Sequence, residues 1–238
     1  MELIRLSDRV HYMPGCHDTD RPYLYHLQGD HYSMVVDAGN SKWHVEAFYH
    51  LLANHGLSLP KYTLITHWHW DHTFGLPFIV GKSISSALTM QKLKEVREWV
   101  WTEEAMQARE KSGEDIAFCN TCIRREYPDL HEIHVGLPDL AISEPTTLDA
   151  GGLHAHLIPT DSIHSRDAML IHVPEEKLLI TGDADCEDFY EGSIIEPHRA
   201  DAYLKLVSGL DFDTYLIGHD EPESRHEALS RLRALTSP

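Results

Sequence analysis

A run of seven residues, Thr66-His67-Trp68-His69-Trp70-Asp71-His72, carries much of the chemistry that this sequence can offer. Neutral imidazole nitrogen and carboxylate oxygen are good ligands for zinc, iron and similar cations. Ligands spaced by two, two and one cannot share one helical face, so we expect a tight loop to turn them inward. The preceding residues, 62–65, are apolar and β-rich, which predicts that this loop begins where a buried strand ends.

Three further segments place a ligand-type residue after an apolar strand. They are His154–Pro159 before His164, Leu178–Gly182 before Asp183, and residues 215–218 before His219. Loops at one edge of a sheet converge, so ligands that are distant in sequence can share one site. A glycine directly precedes both Asp183 and His219, which allows a sharp turn and a close approach of the backbone.

In this order, the His-x-His-x-Asp-His run, a distant His, Gly-Asp and Gly-His resemble the motifs of the metallo-β-lactamase superfamily. The resemblance covers most of the chain, from about Leu3 to His226. It implies one domain over residues 1–238 with an α+β fold, an αββα sandwich of two mixed β-sheets flanked by helices. It also implies two metal sites. His67, His69 and His164 would hold the first ion, Asp71, His72 and His219 would hold the second, and Asp183 would bridge both.

Some residues depart from patterns within that superfamily. The third motif reads Ile163-His164-Ser165, where many members have Gly-His-Thr, so substrate contacts cannot be transferred. True β-lactamases of the commonest zinc subclass have Cys in the place of Asp183, and the diiron flavoproteins have Glu in the place of His69. The resemblance therefore favours neither of these two subclasses.

The resemblance implies a metal-dependent hydrolase, in which a hydroxide bridging two divalent metal ions attacks a small ester-type substrate such as a thioester or lactone. Zinc is the expected metal, although His and Asp also accept iron and manganese. Asp71 and Asp183 are expected to help orient the hydroxide, and Tyr190, which soon follows Asp183, to face the substrate.

Three alternatives stay open at this stage. One is a phosphodiesterase acting on a small nucleotide or phosphonate with the same metals. Another is a mononuclear iron enzyme doing redox chemistry, of the persulfide dioxygenase type. The third is a non-catalytic binding module. Metal content distinguishes them, because one iron per chain with oxygen consumption would exclude the hydrolase.

The charge of the chain limits its partners. It has 38 acidic and 20 basic residues, a formal charge of −18, which disfavours nucleic acids. We expect a small-molecule substrate and no membrane partner, and a homodimer is one oligomeric state that the sequence allows. The first residues lack a basic region followed by an apolar run, and no stretch approaches the ~20 apolar residues of a membrane span. With four Cys read as reduced thiols, these features predict a cytoplasmic protein.

The elements that must position these residues follow from periodicity. Short strands are predicted up to residue 36, then a helix from about Trp43 to His55, and strands return after Pro145. A helical insertion at about 87–127 separates the two parts, with one helix predicted over residues 88–111 and another over 115–126. The polar loop of residues 14–22, this insertion and the segment after Asp183 are the parts of the chain expected to select the substrate.

Cys119 and Cys122, followed by His131 and His134, could be read as a second zinc site. The gap between the two halves is short for a zinc finger, and the two Cys lie in a helical pattern. Helix packing is therefore the preferred interpretation.

Overall fold

In the computed structural model, two β-sheets lie face to face, with helices on their outer sides. This is the αββα sandwich expected from the sequence, and that expectation is confirmed. The structure describes residues 2–190, 192 and 194–236.

The first sheet has seven strands in chain order. They are β1 (Ile4–Arg5), β2 (Val10–Met13), β3 (Leu24–Gln28), β4 (Ser33–Val36), β5 (Tyr62–Leu64), β6 (Lys82–Ser86) and β7 (Leu140–Ile142). Neighbours are antiparallel from β1 to β4 and parallel from β4 to β7, so the sheet is mixed.

The second sheet has six strands in the spatial order β13-β12-β11-β10-β9-β8. They are β8 (Thr146–Asp149), β9 (His154–Pro159), β10 (Met169–Val173), β11 (Leu178–Gly182), β12 (Thr214–Ile217) and β13 (Glu223–Ser224). Only the pairing of β11 with β12 is parallel among these described strands. The carboxyl ends of β11 and β12 therefore lie side by side.

Seven α-helices accompany the sheets in the described part of the chain. They are α1 (Lys42–Asn54), α2 (Trp70–Thr73), α3 (Ala87–Val96), α4 (Glu103–Ser112), α5 (Ala117–Glu126), α6 (Pro197–Ser208) and α7 (Arg225–Leu235). None of the helices in that part is both long and apolar enough to cross a membrane.

The alternation of side chains along the strands builds the layers. On β4, Met34 and Val36 enter the core between the sheets, whereas Val35 packs with Phe48 of α1 on the outer side. On β11, Ile180 enters the central core and Leu179 faces the cluster formed with α6 and α7. Successive residues of a strand point to opposite faces, so one apolar run serves two layers.

The helical insertion is confirmed in place, but its first helix is not continuous. Residues 97–102 separate α3 from α4, where one helix over 88–111 was expected, and that expectation is wrong. Arg109 explains the break, because its guanidinium lies 4.6 Å from the Trp99 ring centroid and 4.8 Å from that of Trp101. Thr102 then caps α4, accepting a hydrogen bond from the backbone N–H of Ala105.

Strand β7 was not expected from the sequence. It pairs in parallel with β6 at the edge of the first sheet, and two of its three residues are exposed. A short exposed edge strand lacks the apolar alternation by which strands are recognised.

Candidate metal centre

Three of the predicted ligands, His67, His69 and His164, form one compact group, all buried. His67 and His69 lie between β5 and α2, and His164 comes from the loop after β9 in the other sheet. His69 Nδ1 lies 2.9 Å from His164 Nε2. Nitrogen ligands about 2.0–2.1 Å from a tetrahedral zinc ion lie roughly 3.3 Å apart, so these ring nitrogens are placed to share one ion.

The other four predicted ligands, Asp71, His72, Asp183 and His219, form the second group. Asp71 and His72 lie on the one-turn helix α2. Asp183 directly follows β11, and His219 follows β12 after one intervening residue. Asp71 Oδ2 is 2.9 Å from His72 Nε2 and 3.0 Å from His219 Nε2. Asp183 Oδ2 is 3.4 Å from His72 Nε2 and 3.3 Å from His219 Nε2.

Asp183 also reaches toward the first group, because its Oδ2 lies 3.9 Å from His164 Nε2. It is the carboxylate placed between the two groups. His67 Nε2 and Asp183 Oδ1 are buried atoms with no hydrogen-bond partner. Buried polar atoms are nearly always satisfied, so orphaned ligand atoms in a cluster of imidazoles and carboxylates fit divalent cations.

Asp37 holds the ligand-bearing loop of residues 66–72 in place through hydrogen bonds, and it was not identified from the sequence. Its Oδ2 is 2.7 Å from His72 Nδ1, so that Nε2 is left to face the other ligands. Its Oδ1 accepts hydrogen bonds from Thr66 N at 2.8 Å and from Thr66 Oγ1 at 3.0 Å. A carboxylate behind a ligating imidazole fixes its tautomer and ring orientation.

Two other ligand rings are held by groups outside the cluster. The carbonyl oxygen of Glu187 lies 2.6 Å from His164 Nδ1, and Thr66 Oγ1 lies 3.0 Å from His67 Nδ1. These contacts leave Nε2 of both rings for the centre of the cluster.

Charge is distributed unevenly between the two groups. Burial, with the nearby imidazoles, lowers the pKa of His67 and His69 well below the usual range, so both stay neutral and ready to bind metal. Burial would also lower the pKa of His72, but Asp71, Asp183 and Asp37 together raise it well above that range. The second group therefore attracts positive charge.

The carboxylates of the second group are held ionised. Burial alone would raise the pKa of Asp71, but His72 and His219 lower it below its usual value. For Asp183, too, burial acts upward, and His219 and His72 bring the pKa well below the usual range. Ionised carboxylates are the form that binds metal.

Asp20 joins the site from the loop of residues 14–22, which sequence reasoning named only as a whole. It follows a 3-10 helix over His17–Thr19 and adopts the left-handed conformation, with φ of 54°. Its Oδ1 lies 3.9 Å from His219 Nδ1. Burial and the neighbouring Asp71 raise its pKa to about 7. No local pattern singles it out, because it meets His219 only through the fold.

The glycine before His219 is required by space. A Cβ on Gly218 would stand 2.0 Å from Asp183 Oδ1 and 3.1 Å from His72 Cε1. The backbone N–H of Gly218 donates to Gly182 O at 3.0 Å, which ties the two parallel strand ends together. The expected close approach is therefore observed at this position.

A cavity of about 310 Å³ opens onto both groups. Its polar lining consists of the acidic and ligand-type residues Asp20, His69, Asp71, His164, Asp183 and His219, together with His17. The remaining lining residues are Ile116, Phe118, Cys119, Cys186, Phe189 and Tyr190. Phe118 and Phe189 are 57% and 44% exposed, so they form an apolar rim. Its described lining contains no Lys or Arg.

Tyr190 lies in the cavity wall, with its ring centroid 5.0 Å from that of His69. Its hydroxyl is 3.4 Å from Asp115 Oδ1 and 3.7 Å from Cys119 Sγ. The Trp68 ring is tilted by 52° to the Tyr190 ring, with the two centroids 5.1 Å apart. Trp70 is buried among the insertion helices. The catalytic role expected for Tyr190 stays a prediction.

Cys119 and Cys122 lie on α5 and are buried in the cluster beneath the metal loop. His131 and His134 are exposed beyond that helix. Among the described residues, the groupings able to hold a metal ion are the two above, and they include none of these four.

The comparisons with known proteins agree with this geometry. The sequence profile of the metallo-beta-lactamase superfamily matches residues 22–219. The solved metallo-beta-lactamase from Pontibacter korlensis is 16% identical, with TM-score 0.66, and the alignment covers 100% of this chain and 99% of that one. A metallo-beta-lactamase family protein from Thermus thermophilus is 17% identical, with TM-score 0.66 and coverage of 98% and 79%.

The sec-alkylsulfatase Pisa1 from Pseudomonas sp. is 15% identical, with TM-score 0.71; the match covers 99% of this chain but 41% of that one. No protein of curated function matches the sequence. The similar structures share the fold, and the profile spans most of the chain with its strand ends and their ligand-type residues. The chain belongs to the metallo-beta-lactamase superfamily, and its two His/Asp groups can hold divalent metal ions.

Proposed function

We propose that this protein is a hydrolase that binds two divalent zinc ions and cleaves a small, uncharged ester-type substrate such as a thioester or lactone. His67, His69 and His164 would hold the first ion, and Asp71, His72 and His219 the second, with Asp183 between them. Nitrogen and carboxylate ligands in groups of this size suit zinc. Zinc ions bound there would supply Lewis acidity and would lower the pKa of bound water from about 15.7 toward 7.

The cavity above the two groups is the observation that carries the choice of substrate. Its volume of about 310 Å³ is at the lower end for small-molecule sites. Phe118, Phe189 and Ile116 give it apolar walls, and no described Lys or Arg lines it. Apart from the proposed metal ions, an anionic group in this cavity would meet the carboxyl group of Asp20 and no Lys or Arg side chain.

The residues around the cavity would divide the work among binding, orientation and exclusion of water. Asp37 orients His72, and Glu187 orients His164 through its carbonyl oxygen. The two phenylalanines would cover the acyl part of the substrate and exclude water from the reacting carbonyl. Asp71 and Asp183, kept ionised, would help orient the attacking water.

Tyr190 would contribute its ring to the substrate wall. Its hydroxyl lies near Asp115 and Cys119, so a substrate-facing phenol requires rotation away from those two groups. Tyr190→Phe separates the two contributions, because it keeps the ring contact and removes only the hydroxyl: a lower kcat at unchanged KM would assign a role to the hydroxyl, and unchanged kinetics would leave the ring alone in that role.

The lining of this cavity contains no described Lys or Arg, unlike the neighbouring cavity of about 490 Å³ that shares His164 and carries Lys92 and Arg166; this difference bears on the phosphodiesterase alternative. Phosphate and sulfate esters carry negative charge, which proteins bind with Arg, Lys, helix N-termini or metal ions; in this cavity only the proposed metal ions would supply positive charge of that kind. The chain's formal charge of −18 adds long-range repulsion toward such substrates.

A substrate panel tests the proposal. Metal-loaded protein is assayed on thioesters, lactones, phosphodiesters, sulfate esters and β-lactams, with Asp183→Ala as the control. We expect turnover of the uncharged esters only, and loss of that turnover in the variant. Equal rates for both proteins on every substrate would refute the central site. One iron per chain with oxygen consumption would refute the hydrolase itself.

A further inference from the structure

The loop of residues 14–22, here called the strap, passes beside the second metal group without joining either sheet as a strand. Cys16 and Arg21 pair through their backbones, with N–O distances of 2.9 and 3.0 Å, and close the strap into a turn. Two side chains hold its tip from outside. Asn40 Nδ2 donates to Thr19 O at 2.8 Å, and Arg125 Nη1 donates to Asp18 O at 2.9 Å.

A buried ion pair fastens the base of the strap to the helical insertion. Arg21 contacts both carboxylate oxygens of Glu126 on α5, at 2.7 and 3.2 Å. The side chain of Glu126 is only 2% exposed. Ser41, the N-cap of α1, also donates to Glu126. One carboxylate therefore joins the strap, the insertion and the first long helix, in a bidentate geometry that fixes direction as well as distance.

The other side of the strap meets the second metal group. Tyr23, directly after the strap, donates its backbone N–H to Gly218 O at 2.7 Å, next to His219. Asp20 Oδ1 lies 3.9 Å from His219 Nδ1, the ring nitrogen turned away from Asp71 and Asp183. Asp37 also faces the outer nitrogen of a ligand ring, that of His72, but at a hydrogen-bond distance of 2.7 Å, whereas Asp20 approaches His219 as an acidic neighbour at 3.9 Å.

We propose that Asp20 is a positioning residue for His219, and that the strap sets the affinity for the second metal ion through its Arg21–Glu126 attachment to the insertion. This inference rests on the proposed two-metal function and adds a route by which the insertion acts on one ion. The first group has its own supports outside the strap, because Thr66 holds His67 and Glu187 holds His164. Loosening the strap should therefore weaken one ion and spare the other.

Two variants test this assignment. Asp20→Asn keeps the size of the side chain and a residue type that tolerates the left-handed backbone, while replacing the carboxyl group that faces His219 by an amide. Glu126→Gln leaves Asp20 in place and breaks the charge pair at the base of the strap. The matched control is Glu103→Gln, which breaks the exposed ion pair between Glu103 of α4 and Arg124 of α5, the helix that also carries Glu126.

Zinc binding is measured by competition with a chromophoric chelator, and cobalt(II) absorption reports the geometry of each ion. For Asp20→Asn we expect a loss of about 10- to 100-fold in affinity for the second ion, with the first unchanged. Glu126→Gln should shift the same ion in the same direction, and Glu103→Gln should shift neither.

Unchanged affinity for the second ion in Asp20→Asn would overturn the proposal. Equal weakening of both ions, together with a lower melting temperature, would also overturn it, because the strap would then be merely structural. These results do not depend on turnover. If the wild-type protein binds two ions and hydrolyses no ester, the proposed function fails while the role of the strap can still stand.

Discussion

Replacing Gly218 by Ala is a sharp test of the metal centre, because it adds one methyl group at a defined point. The new Cβ would lie 2.0 Å from Asp183 Oδ1 and 3.1 Å from His72 Cε1. The backbone at Gly218 is not in the left-handed region, so the change brings no conformational strain of its own. Any effect must come from the contact with the cluster.

The size of the required shift follows from that distance. Contacts under 3.0 Å do not occur, so Asp183 Oδ1 and the backbone must separate by about 1 Å or more, about five times the ~0.2 Å tolerance of metal–ligand distances. Asp183 is enclosed by His72 and His219 and cannot retreat without leaving the position between the two groups. Because Asp183 would lie between the two ions, we expect the affinity for both to fall, and that for the second ion to fall by about 100-fold or more.

The assay is zinc stoichiometry after equilibrium dialysis, with thermal unfolding measured in parallel. Gly209→Ala is the matched control, because a Cβ there meets its nearest heavy atom at 3.4 Å, outside any ligand group. That variant should bind as much zinc as the wild type. If Gly218→Ala also bound two ions with wild-type affinity, the close packing of Gly218 against the bridging carboxylate would be refuted.

Three further outcomes are expected. Asn at position 37 tolerates the positive φ of 64° but accepts a weaker hydrogen bond from His72 Nδ1 than the carboxylate does. For Asp37→Asn, chelator competition should therefore show about 10- to 100-fold weaker binding of the second ion, the one that His72 would hold. Burial lowers the pKa of His26 to about 4; the folded protein keeps this ring neutral while the unfolded chain protonates it below about pH 6.5. Stability is therefore lost as pH falls, by about 2 kcal/mol between pH 7 and pH 5, and urea unfolding of His26→Gln should lack that part of the pH dependence. Phe118→Ala should raise KM several-fold for esters with long apolar acyl groups and leave short ones nearly unchanged; equal effects on both would contradict an apolar rim.

The ligands could be found from the sequence because each is carried by a local signal. The spacing of His67, His69, Asp71 and His72 is visible within one short run, and Asp183 follows a recognisable strand and a glycine. The apolar segments predicted as strands before His164 and Asp183 likewise coincide with β9 and β11 at their observed bounds, since apolar patterning and turn residues are properties of neighbours in the chain.

The residues behind the ligands could not be found in this way. Asp20 meets His219, and Asp37 meets His72, across long separations in sequence, so nothing near either aspartate marks its role. The break between α3 and α4 has the same origin, because it depends on packing against Arg109 that forms only after the insertion folds. Such contacts override local helix propensity.

The division of ligands between the sheets has a consequence beyond chemistry. In the first group, His67 follows β5 of the first sheet and His164 follows β9 of the second. In the second group, His72 likewise belongs to the first half of the sandwich and Asp183 to the second. Each bound ion would therefore act as a reversible cross-link between the two halves of the sandwich. Because a ligand that binds only the folded state adds about 2.7 kcal/mol of stability at 100 times its Kd, the amount of folded protein in a cell would follow the supply of metal.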